Sequence, residues 1–190
     1  MLTLLKLLKV TASELKQGQY IRYKNMTSLI QSTTHSHVAR GGALIKINLQ
    51  QINKKQQTMT VRPQEVIEVV ELEWIKSEIL YKDKETVSIE VDGDFQSIPL
   101  ELIPNSDFVD SGMTIQFGLQ DGEIITAKLP QTHTYKVTGI NSDGVVARTK
   151  GTTLVKATLS SGASLKVPSF VKVNDSVEVS LKDFEYRKRI

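Results

Sequence analysis

Ile115-Gln116-Phe117-Gly118-Leu119-Gln120-Asp121-Gly122-Glu123-Ile124 decides how the rest of the chain is read. Ile115, Phe117 and Leu119 take alternate positions, the period of a strand with one buried face. Asp121-Gly122 favours the tight turn of a two-residue hairpin, and Ile124 opens a return strand toward Leu129. Asp92-Gly93 separates Val87–Val91 from Phe95–Leu100 in the same way. Ser161-Gly162 joins Ala157–Leu159 to Leu165–Val167, and Val177, Val179 and Leu181 alternate again. No long stripe of period 3.6 competes; a turn around Ser106–Val109 is the only helical suggestion. The chain therefore reads as all-β, with short strands and Gly-containing turns that suit small barrels of the SH3-like or OB type.

The 190 residues are long for one such barrel, so two or three domains are expected. Pro63 and Pro130 mark the breaks, since a proline suits a strand end or a linker. We place an extension at 1–8 and domains at 9–68, 69–130 and 131–190. Cysteine is absent, which excludes disulfides and thiolate metal ligands. No apolar run approaches the roughly 18 residues of a membrane-spanning helix. Met1–Lys9 is Leu-rich with Lys6 and Lys9; it reads either as the stump of an organellar targeting segment or as an ordinary extension or first strand.

Charge is distributed unevenly under a net +3. Residues 1–68 hold ten Lys/Arg against three acids, residues 69–130 four against thirteen, and residues 131–190 ten against five. Basic ends around an acidic middle fit an elongated molecule touching a polyanion at both ends, since the alternation is large and coincides with breaks in the strand pattern; chance drift among solvated faces is the alternative.

Catalytic constellations are missing. There is no Walker loop, dinucleotide fingerprint, nucleophile elbow or H-E-x-x-H. His35 and His37 share a face, but no third ligand is suggested nearby, and the thirteen middle acids are scattered over turns and strand ends. Trp74, after the apolar Val66–Leu72, reads as core. No enzyme activity, metal or cofactor is expected.

The informative stretch is His35-Ser36-His37-Val38-Ala39-Arg40-Gly41-Gly42-Ala43-Leu44, flanked by strand-like runs at Thr27–Thr33 and Ala43–Leu49. Gly41 and Gly42 allow a tight hairpin tip with Arg40 at its apex, amid Arg22, Lys24, Lys46, Lys54 and Lys55. An apical arginine reaches a phosphate or stacks on a base, but this stretch alone favours a solvated residue on an exposed turn.

From Val10 onward the chain resembles the elongation factor P family. Lys9–Gly18 is similar to that family's first strand and turn, His37–Leu49 to its modification loop, Leu72–Asp83 to the start of its second domain and Leu129-Pro130 to the next junction. Lys156–Gly162 with Val167–Val171 resembles its C-terminal motif, and Asp183–Arg187 its closing strand. The resemblance implies an SH3-like (KOW-like) domain followed by two OB-fold domains, in an L shape like transfer RNA. It implies a factor that binds the ribosome between peptidyl and exit sites and helps peptide bonds form at consecutive prolines. Arg40 then matches the apex Lys or Arg that faces the CCA end of peptidyl-tRNA and is often enzymatically extended, with Gly41 and Gly42 shaping the tip. Arg148, Thr149, Lys150, Arg187, Lys188 and Arg189 are the expected RNA contacts of the far end. Expected partners are the ribosome, with its peptidyl-tRNA, ribosomal RNA and messenger RNA, and an arginine-modifying enzyme. The chain is expected to act as a monomer without a membrane, where translation occurs: bacterial cytoplasm, or the matrix of a mitochondrion or plastid.

Departures mark a divergent member. Val38 and Ala39 stand where a Pro and a Gly usually precede the apex, and Ala147-Arg148-Thr149 replaces a Gly-Asp-Thr loop. Val155 and Asn174 replace a Lys and a Gly of the C-terminal motif. A general RNA-binding protein of OB-like barrels is the alternative. It needs stacking aromatics, and only Tyr20 and Tyr23 lie close together in the basic N-terminal segment.

Overall fold

The computed structural model describes residues 7–38, 42–51, 56–141, 147–149 and 152–190. Among these the protein is all-β, with 3₁₀ turns at Ala12–Glu14, Leu100–Leu102 and Ser106–Phe108 and no α-helix. The last of these is the turn expected near Ser106. By compactness the chain divides into residues 1–75 with 118–126 and residues 76–117 with 127–190.

The first sheet uses β1 (Leu7–Thr11), β2 (Tyr20–Tyr23), β3 (Met26–Val38), β4 (Gly42–Gln51), β5 (Gln56–Val61) and β6 (Val66–Val70), in the order β1-β6-β2-β3-β4-β5. Pairing of Leu7 with Val70 brings Leu7 and Leu8 into the sheet, although the sequence alone assigns them to an extension. Strand alternation turns Ile21, Ile30, Ile45, Ile47, Leu49, Ile67 and Val69 into one core that Ala12 and Leu15 close. The half-buried Trp74 packs against Tyr20 with ring centroids 6.3 Å apart.

Residues 73–128 supply β7 (Glu73–Glu78), β8 (Tyr81–Lys82), β9 (Thr86–Val91), β10 (Asp94–Pro99), β11 (Thr114–Gln120) and β12 (Glu123–Lys128). They pair as β10-β9-β8 and β12-β11-β7. Both Asp-Gly pairs turn as the sequence requires. Asp92 and Gly93 have φ of 52° and 88°, and Asp121 and Gly122 have 55° and 84°, the left-handed pair that matches strand twist in a two-residue hairpin.

Residues 132–189 supply β13 (Thr132–Asn141), β14 (Ala147–Thr149), β15 (Thr152–Leu159), β16 (Ser164–Pro168), β17 (Ser176–Ser180) and β18 (Glu185–Arg189). The path is β14-β15-β13-β17-β18, with β16 on the free side of β15 and coming back against β18. That is the order of a five-stranded Greek-key barrel of the OB type. Tyr135, Val137, Ala157, Val167, Val177 and Val179 are fully enclosed in it.

Candidate nucleic-acid interface

The β3–β4 hairpin is the longest feature of the first sheet. Its register runs from Ser28 opposite Gln51 to Val38 opposite Gly42, with one irregularity between Ile30 and Ser32. On one side β5 accompanies β4 only as far as Ile45 opposite Val61, and on the other β2 accompanies β3 only over Met26–Leu29. The pairs Ser36–Leu44, His37–Ala43 and Val38–Gly42 therefore extend past the last residue paired with β5. At about 3.4 Å per residue this is roughly 10 Å of two-stranded ribbon.

The base of the ribbon is held firmly. Ile45, Ile47 and Leu49 are fully buried below it. Across three strands, the Asn48 Nδ2 donates to Ser32 Oγ at 2.9 Å and Thr58 Oγ1 donates to Asn48 Oδ1 at 2.8 Å. Toward the tip, Thr34, His35 and Ser36 are exposed, and Ser36 Oγ donates to the Leu44 carbonyl at 3.4 Å. Gly42 has φ +81°, a conformation that a side chain would strain. Arg40 and Gly41 lie outside the described residues. The register pairs the residues on either side, Val38 and Gly42, and Arg40 is the middle of the three between them.

The aromatics of this segment are committed elsewhere. Tyr20 is buried beside Trp74, and burial pushes its phenol up, with a Thr126 hydrogen bond opposing. Tyr23 packs on the core, with the Lys24 ammonium 5.2 Å from its ring. Tyr20 has no open face of the kind that stacking on single-stranded RNA needs, and Tyr23 is half-buried. Among the described residues no three His, Asp or Glu side chains gather as a metal site.

At the far end the expected RNA residues that are described lie on two strands, β14 and β18. Arg148 and Thr149 lie on β14, opposite Thr153 and Thr152; their side chains, and Lys150 altogether, lie outside the described residues. On β18 the register steps from Val179–Tyr186 to Glu178–Lys188, so Arg187 is the extra residue of a bulge, exposed and re-aimed. Lys188 pairs with Glu178 at 3.7 Å, and Arg189 with Asp175 at 3.4 Å. The Arg189 guanidinium also lies 5.8 Å from the Phe170 ring centre. Asp175 is held below the usual carboxylate range, first by the Lys172 backbone N–H and, after opposing burial, by Arg189. Two exposed lysines absent from the sequence-derived set, Lys156 and Lys166, are placed face to face by the β15–β16 register. Alternation in Leu165-Lys166-Val167 signals an outward lysine, but no local signal names its partner.

The two segments just described are also the two that match known families. The family model described as the elongation factor P (EF-P) KOW-like domain matches residues 11–65, and that for the elongation factor P C-terminal domain matches residues 135–189. The chain belongs to the elongation factor P family. Elongation factor P from Borrelia hermsii is 26% identical over 193 residues, covering 95% of this chain and 97% of the relative. That from Mesomycoplasma hyopneumoniae is 26% identical over 184 residues, with 95% and 99% covered. A solved structure, eukaryotic translation initiation factor 5A from Methanococcus jannaschii, aligns at a TM-score of 0.48 with 19% identity, covering 65% of this chain and 94% of that one. The protein is thus a translation factor of the elongation type. These relatives are bacterial and lend no support to an organellar reading of the first nine residues.

Proposed function

We propose that the protein binds the ribosome beside peptidyl-tRNA and stimulates peptide-bond formation where it stalls, as at consecutive prolines. The observation that carries this reading is the β3–β4 hairpin of an elongation factor P family chain, with Arg40 midway between its paired ends. A ribbon anchored by buried isoleucines supplies reach and stiffness. An arginine supplies fixed charge and a planar fork of donors. Neither provides acid or base chemistry, so the proposed role is to hold the tRNA end in a reactive geometry. In this reading the segments 9–68, 69–130 and 131–190 act as domains, the two basic ones meet RNA, and an arginine-modifying enzyme acts on Arg40 before use. The protein works as a monomer wherever its ribosomes are.

The test is translation of a reporter carrying consecutive prolines, with ribosome binding measured on the same protein. Arg40→Ala removes one exposed charge-assisted contact, worth on the order of 1 kcal/mol, so binding should weaken by about tenfold or less. Stall relief should fall by about a hundredfold, the scale of a small misplacement of reacting groups. Arg40→Lys should restore part of the activity if charge alone matters and little if the planar fork or its modification matters. Full activity in Arg40→Ala would remove Arg40 from the role. Co-sedimentation with free RNA but not with ribosomes would favour the general RNA-binding reading.

A further inference from the structure

We propose that the outer face of β15 and β16 is a phosphate-backbone-binding surface centred on Lys156 and Lys166. The two lysines are directly opposite in the antiparallel register, and both are exposed. Their neighbours on either side, Val155 with Val167 and Ala157 with Leu165, face the barrel interior. Residues directly opposite share a face at a Cβ separation of about 5 Å, and like charges placed so destabilise the pair of strands. Among the described residues neither lysine has an ion-pair partner.

The rest of the same barrel is built the other way. On β17 and β18, Glu178 stands opposite Lys188 and pairs with it, and Asp175 pairs with Arg189. The acids that balance β18 leave the β15–β16 face uncompensated. Two residues along that face, Thr158 stands opposite Ser164, both exposed. Lysines with neighbouring hydroxyls are the groups that bind phosphate oxygens without reading bases. Among the described residues the strip carries no exposed aromatic or large apolar side chain of the kind that anchors a protein partner, Leu154 beside Pro168 being half-buried, so an RNA backbone is the occupant it fits. The ribosome reading supplies the source of that RNA, and the surface rests on that reading for its biological use, not for its chemistry.

Lys166→Glu tests the surface because it should move stability and binding in opposite directions. The substitution replaces a repulsive cross-strand pair with an attractive one, so the melting midpoint should rise, by about 2 °C. Binding to ribosomes and to a plain RNA duplex should weaken about tenfold, and the slope of log affinity against log salt should shrink by roughly one to two units. Lys156→Gln and Lys166→Gln should weaken binding in the same direction without a reversed charge, which covers the case in which Lys166→Glu fails to fold. Lys182→Glu, the same charge change in the turn after β17, should weaken binding far less. Unchanged affinity and slope in the lysine variants would overturn the proposal, as would an equal loss in Lys182→Glu, which would assign the effect to net charge. Binding of poly-glutamate with no loss on duplex RNA would also overturn it, in favour of an acidic protein. Wild-type protein that failed to bind ribosomes would overturn the proposed function instead, and duplex RNA would still decide this surface.

Discussion

Residues 73–128 and 132–189 each supply six strands, with opposite charge. The six strands of 132–189 join in one sheet, whereas those of 73–128 pair as two three-stranded sheets, β10-β9-β8 and β12-β11-β7. In 132–189 the first strand changes neighbours part-way along. Residues 132–136 of β13 pair with β17 and residues 137–141 with β15, across a register shift between Val137 and Gly139. In the middle segment the strand breaks instead: β7 pairs with β11, and after the buried Ile79 the chain resumes as β8 against β9. Thirteen acids against four Lys/Arg in 69–130 face ten Lys/Arg against five acids in 131–190. Strand order follows from turns and alternation, which both segments possess. The charge is set independently of those turns, so a like build carries no like partner.

The largest test of that comparison is steric. A Cβ added to Gly118 on β11 would lie 3.0 Å from Leu72 Cδ1, Thr126 Cγ2 and the Trp74 ring at once. A Cβ added to Gly139 on β13 would meet only Thr158, at 3.7 Å. Gly118→Ala should therefore cost about 1–3 kcal/mol in chemical denaturation, the scale of overpacking a filled core. Gly139→Ala should be neutral or gain up to about 1 kcal/mol from a stiffer unfolded chain. Equal costs would mean that the close packing at Gly118 is incidental.

Much of this fold is legible in the sequence because its signals are local. Ile115, Phe117 and Leu119 alternate, Asp92-Gly93 and Asp121-Gly122 turn, and the strands stand where those residues require. The hairpin was shorter on paper than in space. Thr27–Thr33 reads as a strand, yet β3 continues to Val38, because Thr34, His35 and Ser36 are all exposed polar residues and leave no alternation to detect. Register is legible only across tight turns, since elsewhere it joins residues distant along the chain, and even there the partner of each residue must be counted from the turn. The facing of Lys156 and Lys166, and the pairing of Lys188 and Arg189 with Glu178 and Asp175, depend on it. That is why the ion pairs of the basic C-terminus cannot be read along the chain.

A second test addresses how the segments meet around the 3₁₀ turn at Ser106–Phe108. The Lys82 ammonium of β8 donates to the carbonyls of Val109 at 2.8 Å, Ser161 at 3.1 Å and Ser106 at 3.2 Å. All three of its donors are thus used, one of them on the turn between β15 and β16. Burial lowers its pKa, against the opposing charges of Asp110 and Asp107. Lys82→Met keeps the stem and strands the three carbonyls, which should cost about 1–2 kcal/mol. Loss of protection in amide exchange should appear at Ser161–Ala163 as well as around Val109. Loss confined to the middle segment would mean that the bond to Ser161 holds nothing in place.

The smallest effect concerns alkaline pH and Tyr135. Its hydroxyl donates to the Phe108 carbonyl, and its ring is fully enclosed, with Phe108 and His133 against it edge-on. Burial, helped by the charge of Asp110, pushes the phenol far above its ordinary value of 10.0. A folded-state value above the unfolded one means that the unfolded chain gives up this proton first as pH rises. The stabilisation is therefore fully present below about pH 10 and is lost above it, at up to about 1.4 kcal/mol per pH unit from this group. Tyr135→Phe should cost on the order of 1 kcal/mol at pH 7, for the hydrogen bond, and should flatten the decline above pH 10. Tyr20, raised by burial in the first sheet, should leave a residual slope that Tyr20→Phe removes. Urea midpoints from pH 8 to 11.5 separate the two. A decline unchanged in Tyr135→Phe and abolished in Tyr20→Phe would place the alkaline sensitivity in the first sheet, and the bond from β13 to the middle segment would carry none of it.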